Sequence, residues 1–155
     1  MTPISQDEFR DRFDRLEHHI ERHYGLPVVI TDIKNPFTGD LDGGEVQIDH
    51  DVEAEEAVFI LIHLFGHTVQ WNTDPTARDT SFAAEVKQSE ERIAALYAYE
   101  MEAVAYSQQL LHNLHIRDLD QWVADYAHCD FRFLTHLYRT GEKRAFKSFG
   151  SRRNR

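Results

Sequence analysis

Between about residues 52 and 71 the chain carries Ala57, Val58, Phe59, Ile60, Leu61, Ile62, Leu64, Phe65 and Val69, apolar on nearly every face a helix would present. A helix apolar all round belongs at the centre of a fold. The longest apolar stretch, within 57–65, is too short to span a bilayer. Two histidines, His63 and His67, sit inside this segment. An unpaired buried polar group costs on the order of 1–3 kcal/mol, so their ring nitrogens need partners. At i and i+4 the two imidazoles share a helix face, about 6 Å apart at Cβ, and both can reach one ion.

A third ligand has to come from another element. Glu100 is the candidate, because its neighbours at three and four positions are Leu96, Tyr97, Ala103 and Val104. A lone carboxylate among apolar neighbours is costly unless paired or on a metal. Glu102 points nearly the opposite way and is expected to face water. Burial of three ionisable groups together calls for one explanation, a metal ion held by His63, His67 and Glu100. The competing explanation is a set of core residues, with the histidines bonding carbonyls and the glutamate pairing with Arg92 or a histidine.

The surrounding elements follow from local signals. Ser5 and Glu8 have the spacing of a capping box, Phe9, Phe13, Leu16, Ile20 and Tyr24 follow at helical intervals, and Gly25 with Pro27 stops a helix over 6–24. Residues 28–33 read as a short buried strand, 35–44 as a turn-rich stretch, and 45–49 as a half-exposed strand pairing back onto the first. From 81 to 115 there is no Gly or Pro, and Ile93, Leu96, Tyr97, Val104, Leu111 and Leu114 form a stripe. One helix of that length would run about 50 Å, so a break is expected near Ser89. Two further helices are expected over 118–127 and 130–140. The fold class is α+β and mainly helical, with two or three strands packed on a central metal-binding helix and a Glu-bearing helix. It forms a single domain over 1–141, followed by a basic tail over 142–155.

At 155 residues the chain can bury a sizeable core. Its net charge is −10, unevenly spread. The tail holds six Lys/Arg and one Glu, a net of +5, so the other 141 residues carry −15. An acidic body is a poor platform for duplex nucleic acid, although the tail could touch nucleic acid or an acidic partner. No helix-turn-helix is evident. Cys129 is the sole cysteine, which excludes a disulfide framework and a cysteine-based zinc site and suits a small core side chain. The first residues show neither a basic nor an apolar leader region, and the expected location is the cytoplasm.

The order of strand, acidic link, apolar helix with His63-Leu-Phe-Gly-His67, and later Glu100-Met-Glu-Ala-Val-Ala-Tyr-Ser107 resembles the ImmA/IrrE-like zincins, a branch of the HExxH metallopeptidases. The resemblance covers about 28–115. It implies a zincin-like minimal fold, with His63, His67 and Glu100 as zinc ligands and Gly66 as a close-packing point. Two positions depart from the family. Its catalytic Glu follows the first histidine, where this chain has Leu64, and Val104 stands where the family has Asn or Asp. Leucine can neither take a proton from a bound water nor deliver one to a leaving amine.

Other residues could assist such a site. Glu56 lies seven positions before His63, on the same face but about 10 Å along the axis, and could reach it through water. Gln70 lies three after His67 and could orient a ligand or a histidine. Tyr97 lies one turn before Glu100 and could donate to an oxyanion. His112 and His115 form a second, weaker pair. Two histidines and one glutamate suit one divalent ion, Zn2+ or Fe2+. The expected function is a metalloenzyme acting on a small molecule or short peptide, but not a zinc peptidase of the usual kind. The alternatives are a pseudo-peptidase acting by binding, or a hydrolase with a displaced base such as Glu56. A homo-oligomer is compatible with aromatics on the exposed side of 130–140.

Overall fold

A computed structural model describes residues 4–33, 39–41, 44–74, 76–77 and 88–142. The expected basic tail, apart from Glu142, and the stretch 81–87 therefore lie outside the described residues. The described residues are mainly helical, with a small sheet, as an α+β chain should be. The chain divides into two compact units, residues 1–68 and 69–155.

In the first unit, helix α1 (Gln6–Tyr24) has the ends its sequence encodes. The Ser5 hydroxyl accepts from the Glu8 amide and the Glu8 carboxylate accepts from the Ser5 amide, each at 3.1 Å. Gly25 closes the helix at φ 64°, where a glycine avoids the Cβ clash. Phe9, Leu16 and Ile20 are buried, and the exposed Tyr24 rests its ring edge on Phe65 at 4.9 Å.

Three strands follow, β1 (Val28–Thr31), β2 (Gly39–Leu41) and β3 (Val46–Asp49), in the order β1-β3-β2. β3 pairs with β1 as expected, but in parallel, with Val28 opposite Val46 and Ile30 opposite Ile48. β2 runs antiparallel to β3 on its other side. The turn-rich reading of 35–44 missed β2, whose Gly-Asp-Leu sequence carries no strand signal. β1 is also not a buried strand. It lies at a sheet edge, and Ile30 is 51% exposed while Val46 and Ile48 are fully buried.

Helix α2 (Ala54–Thr73) begins in the first unit and runs past the division at Thr68. Val58, Phe59, Ile60, Leu61, Ile62 and Phe65 are all buried, as an all-round apolar helix requires. β2 comes close to it. A Cβ placed on Gly39 would lie 2.5 Å from Cγ2 of Ile60 and 3.0 Å from Cδ1 of Leu64.

The second unit contains the last turn of α2, helix α3 (Glu90–Asn113) and helix α4 (Asp120–Thr140). Ser89 caps α3 by accepting from the Arg92 amide, which is the break expected there. The buried stripe of α3 is Ile93, Leu96, Tyr99, Ala103, Ser107, Leu110 and Leu111. It is rotated from the expected one, because Tyr97 is 50% exposed and Val104 only half-buried. α4 is one helix where two were expected. No Gly or Pro interrupts 120–140, and the left-handed Gly141 ends it. The two helices pack antiparallel. Arg139 grips Glu90 through two bonds of 2.7 and 2.9 Å at one end, and His112 meets Asp120 at 2.7 Å at the other. The His112 imidazole is thus engaged in tying the pair. Cys129 is buried in α4.

α3 ends in a Schellman motif. The Ile116 amide donates to the Leu111 carbonyl and the His115 amide to the His112 carbonyl. This puts His115 in the left-handed region at φ 60°, a conformation that costs a side-chain-bearing residue on the order of 1 kcal/mol. His115→Gly is expected to raise the unfolding free energy by about 0.5–1 kcal/mol, measured by urea denaturation. An unchanged or lower value would contradict the strain.

His50 sits among carboxylates, its Nδ1 2.9 Å from Asp32 and its Nε2 3.4 Å from Asp51. Asp51 first, with Asp32 and Asp49, raises its pKa above the ordinary 6.5 against an opposing desolvation. The stabilisation from this cluster is therefore complete below pH 6.5 and fades as pH rises through the folded value. An NMR titration should place the His50 midpoint above 6.5, and Asp51→Asn should move it down.

Candidate metal centre

Helical periodicity makes the central pair. His63 and His67 are one turn apart on α2, and their Nε2 atoms are 3.1 Å apart. The rings meet edge to face, with centroids 4.6 Å apart. Phe59, one turn earlier, stacks on His63 at 5.2 Å and 16°. His67 is buried and His63 half-buried. Gly66 between them is buried.

Glu100 lies on α3 in the second unit and is half-buried. The chemistry of this donor set fits a divalent ion. With metal–nitrogen bonds of about 2.0–2.1 Å, two Nε2 atoms 3.1 Å apart subtend about 95–100° at the metal, which suits tetrahedral or octahedral coordination. Two neutral imidazoles alone could share one N–H in a hydrogen bond. His63 and His67 thus offer one ion two nitrogens from a single helix face, as the sequence suggested for the pair.

Hydrogen bonds from α2 brace the turn of α3 that carries Glu100. The amide nitrogen of Gln70, a residue 1% exposed, donates to the Tyr99 carbonyl and to the Glu102 carboxylate, each at 2.8 Å. Trp71 adds a bond from its indole to the Tyr99 hydroxyl at 2.7 Å. These bonds grip α3 on either side of Glu100. Glu102 is on the exposed side of its helix as expected, but it is also the acceptor that Gln70 uses.

Of the other sequence candidates, Glu56 is half-buried in the first turn of α2, two turns ahead of His63. Tyr97 is half-exposed, with its ring against Phe131 at 4.6 Å. Leu64 is half-buried with its Cδ1 toward Gly39 of β2. Sequence reasoning missed Tyr138. Its side chain is half-buried, and burial first, then Glu100, Asp130 and Tyr99, push its pKa far above the ordinary 10. No motif marks it, since only the pairing of α3 with α4 brings it within reach of Glu100. A second group, Asp32, Asp49 and His50, also has ligand spacing, but the ion pairs of His50 already account for it.

No protein-family model, curated protein or solved structure matches this chain.

Gln70→Ala should lower the unfolding free energy by about 1–3 kcal/mol, because it strips a buried carbonyl and a carboxylate of a donor. It should also weaken zinc binding by roughly tenfold or more, as loss of a ligand's supporting contact does. Urea denaturation and calorimetric zinc titration check the two effects. Loss of stability with unchanged zinc affinity would show that the brace does not serve Glu100.

Proposed function

We propose that His63, His67 and Glu100 are the ligands of one divalent ion, Zn2+ or Fe2+, in a zincin-like metalloenzyme that acts on a small molecule or short peptide without the peptidase base. The Nε2 atoms of His63 and His67, 3.1 Å apart on one face of α2, carry the reading. The ImmA/IrrE-like resemblance of the HxxGH helix and the Glu-bearing helix supports it independently. When bound, such an ion would supply Lewis acidity and, if iron, a redox couple.

The chain's own residues define what it does not do. Leu64 occupies the position from which a glutamate would exchange protons, and its side chain has no group that can accept or donate one. Gln70 is a positioning residue for the helix turn bearing Glu100. Glu56, two turns along α2, could exchange a proton only through intervening water. Among the described residues no helix is long and apolar enough to cross a membrane.

A ligand that binds only the folded state stabilises it by about 2.7 kcal/mol at a hundredfold excess over Kd. Zinc or ferrous iron added to chelator-treated protein should therefore raise Tm by several degrees. Glu100→Ala and His63→Ala should abolish the gain, and an equal gain in both variants would refute the ligand assignment. Leu64→Glu tests the chemistry. Peptidase activity that appears only in this variant supports a site whose base has been lost, whereas activity already present in the wild type supports a displaced base.

A further inference from the structure

The outer side of β1 is open. The Pro27 and Thr31 carbonyls accept from the Val46 and His50 amides at 2.9 and 3.0 Å, so the backbone groups of residues 27, 29 and 31 face β3. Those of Val28 and Ile30 therefore point away from the sheet. The Glu21 carboxylate accepts from the Val28 amide at 3.1 Å. Among the described residues, the Val28 carbonyl and the Ile30 amide and carbonyl have no hydrogen-bond partner. The side chain of Ile30 meets the same opening. The register sets Ile30, Ile48 and Gly39 side by side across the three strands, on one face of the sheet. Gly39 lies against Ile60 and Leu64 of α2 and Ile48 is fully buried, but Ile30 is 51% exposed. A lone exposed isoleucine is ordinary. One on the core face of an edge strand, beside open backbone groups, supplies both halves of a strand-docking site.

The end of this edge is acidic. The Asp32 and Asp51 side chains are 89% and 82% exposed, and with Asp49 they share the one imidazole of His50. Three carboxylates against one imidazole leave a net negative charge even with His50 protonated. We propose that β1 takes an extended segment of a partner protein as a further strand, with an apolar side chain over Ile30 and lysine or arginine beyond it, toward Asp32 and Asp51. Main-chain hydrogen bonds supply affinity in this mode, and the side chains select the partner. A second copy of the chain fits poorly. Two β1 strands paired antiparallel about Ile30 would set Asp32 of each copy near the Glu21 carboxylate that holds Val28 of the other. The docking edge is the one opposite β2, and the proposal does not depend on the metal ligands.

Fluorescence anisotropy with a labelled heptapeptide of alternating valine and threonine ending in two lysines tests it. The peptide should bind one per chain, roughly tenfold more tightly than its counterpart ending in two glutamates. Methylation of the peptide's alternate backbone amides, which removes donors without altering the protein, should abolish binding. Ile30→Pro deletes the outward amide and leaves the β1–β3 bonds of residues 27, 29 and 31, so it should abolish binding with little change in Tm. Asp32→Asn with Asp51→Asn should weaken binding roughly tenfold and flatten its salt dependence. Equal affinity for the lysine and glutamate peptides would overturn the assignment of a basic partner. Binding that survives amide methylation or Ile30→Pro, or no saturable binding, would overturn the docking edge. A dimer that Ile30→Pro dissociates would make a second copy of the chain the occupant and equally overturn the proposal.

Discussion

The two hydrogen bonds from the Gln70 amide to the Tyr99 carbonyl and the Glu102 carboxylate set the terms for the candidate site. A side chain 1% exposed has no water to turn to, so α3 must present acceptors where Gln70 ends. That requirement fixes the turn of α3 containing Glu100. One turn back along α2, His67 is buried under the same rule, and His63 lies 3.1 Å from it at Nε2. An otherwise apolar helix thus carries three consecutive polar obligations at 63, 67 and 70. Each is met by a named partner, and two of them by a geometry that suits a cation.

Leu64 and Val104, where the sequence differs from the zincins it resembles, each have a structural setting. Leu64 is directed toward Gly39, where β2 approaches α2 so closely that a Cβ would meet Ile60 at 2.5 Å. An apolar side chain is at home in that contact, and a carboxylate there would lose hydration. Val104 lines the groove between α3 and α4 and contributes to an apolar wall. Both side chains contribute packing and neither can exchange a proton.

Much of this was legible in the sequence because the signals were local. The ends of α1 follow from Ser5, Glu8 and Gly25, each acting within one helical turn. The cap at Ser89 and the histidine pair at i and i+4 are equally local. What was not legible depended on partners distant in sequence. β1 looked buried because its residues are apolar, and only the sheet order makes it an edge. The stripe on α3 was misjudged by roughly an eighth of a turn at about 100° per residue, since Leu96, Tyr97 and Tyr99 offer apolar surface on several faces and the small Ala103 and Ser107 give little hydrophobic signal. Tyr138 comes under the electrostatic influence of Glu100 only through the antiparallel pairing of α3 with α4. Division of 118–140 into two helices failed because no residue there breaks a helix.

The most direct measurement is the metal content of protein purified without a histidine tag, read by elemental analysis beside the His63→Ala, His67→Ala double variant. The account predicts about one zinc or iron ion per chain in the wild type and near none in the double variant, with both proteins folded by circular dichroism. A wild type devoid of divalent metal even after reconstitution, or a double variant that keeps its ion, would contradict it.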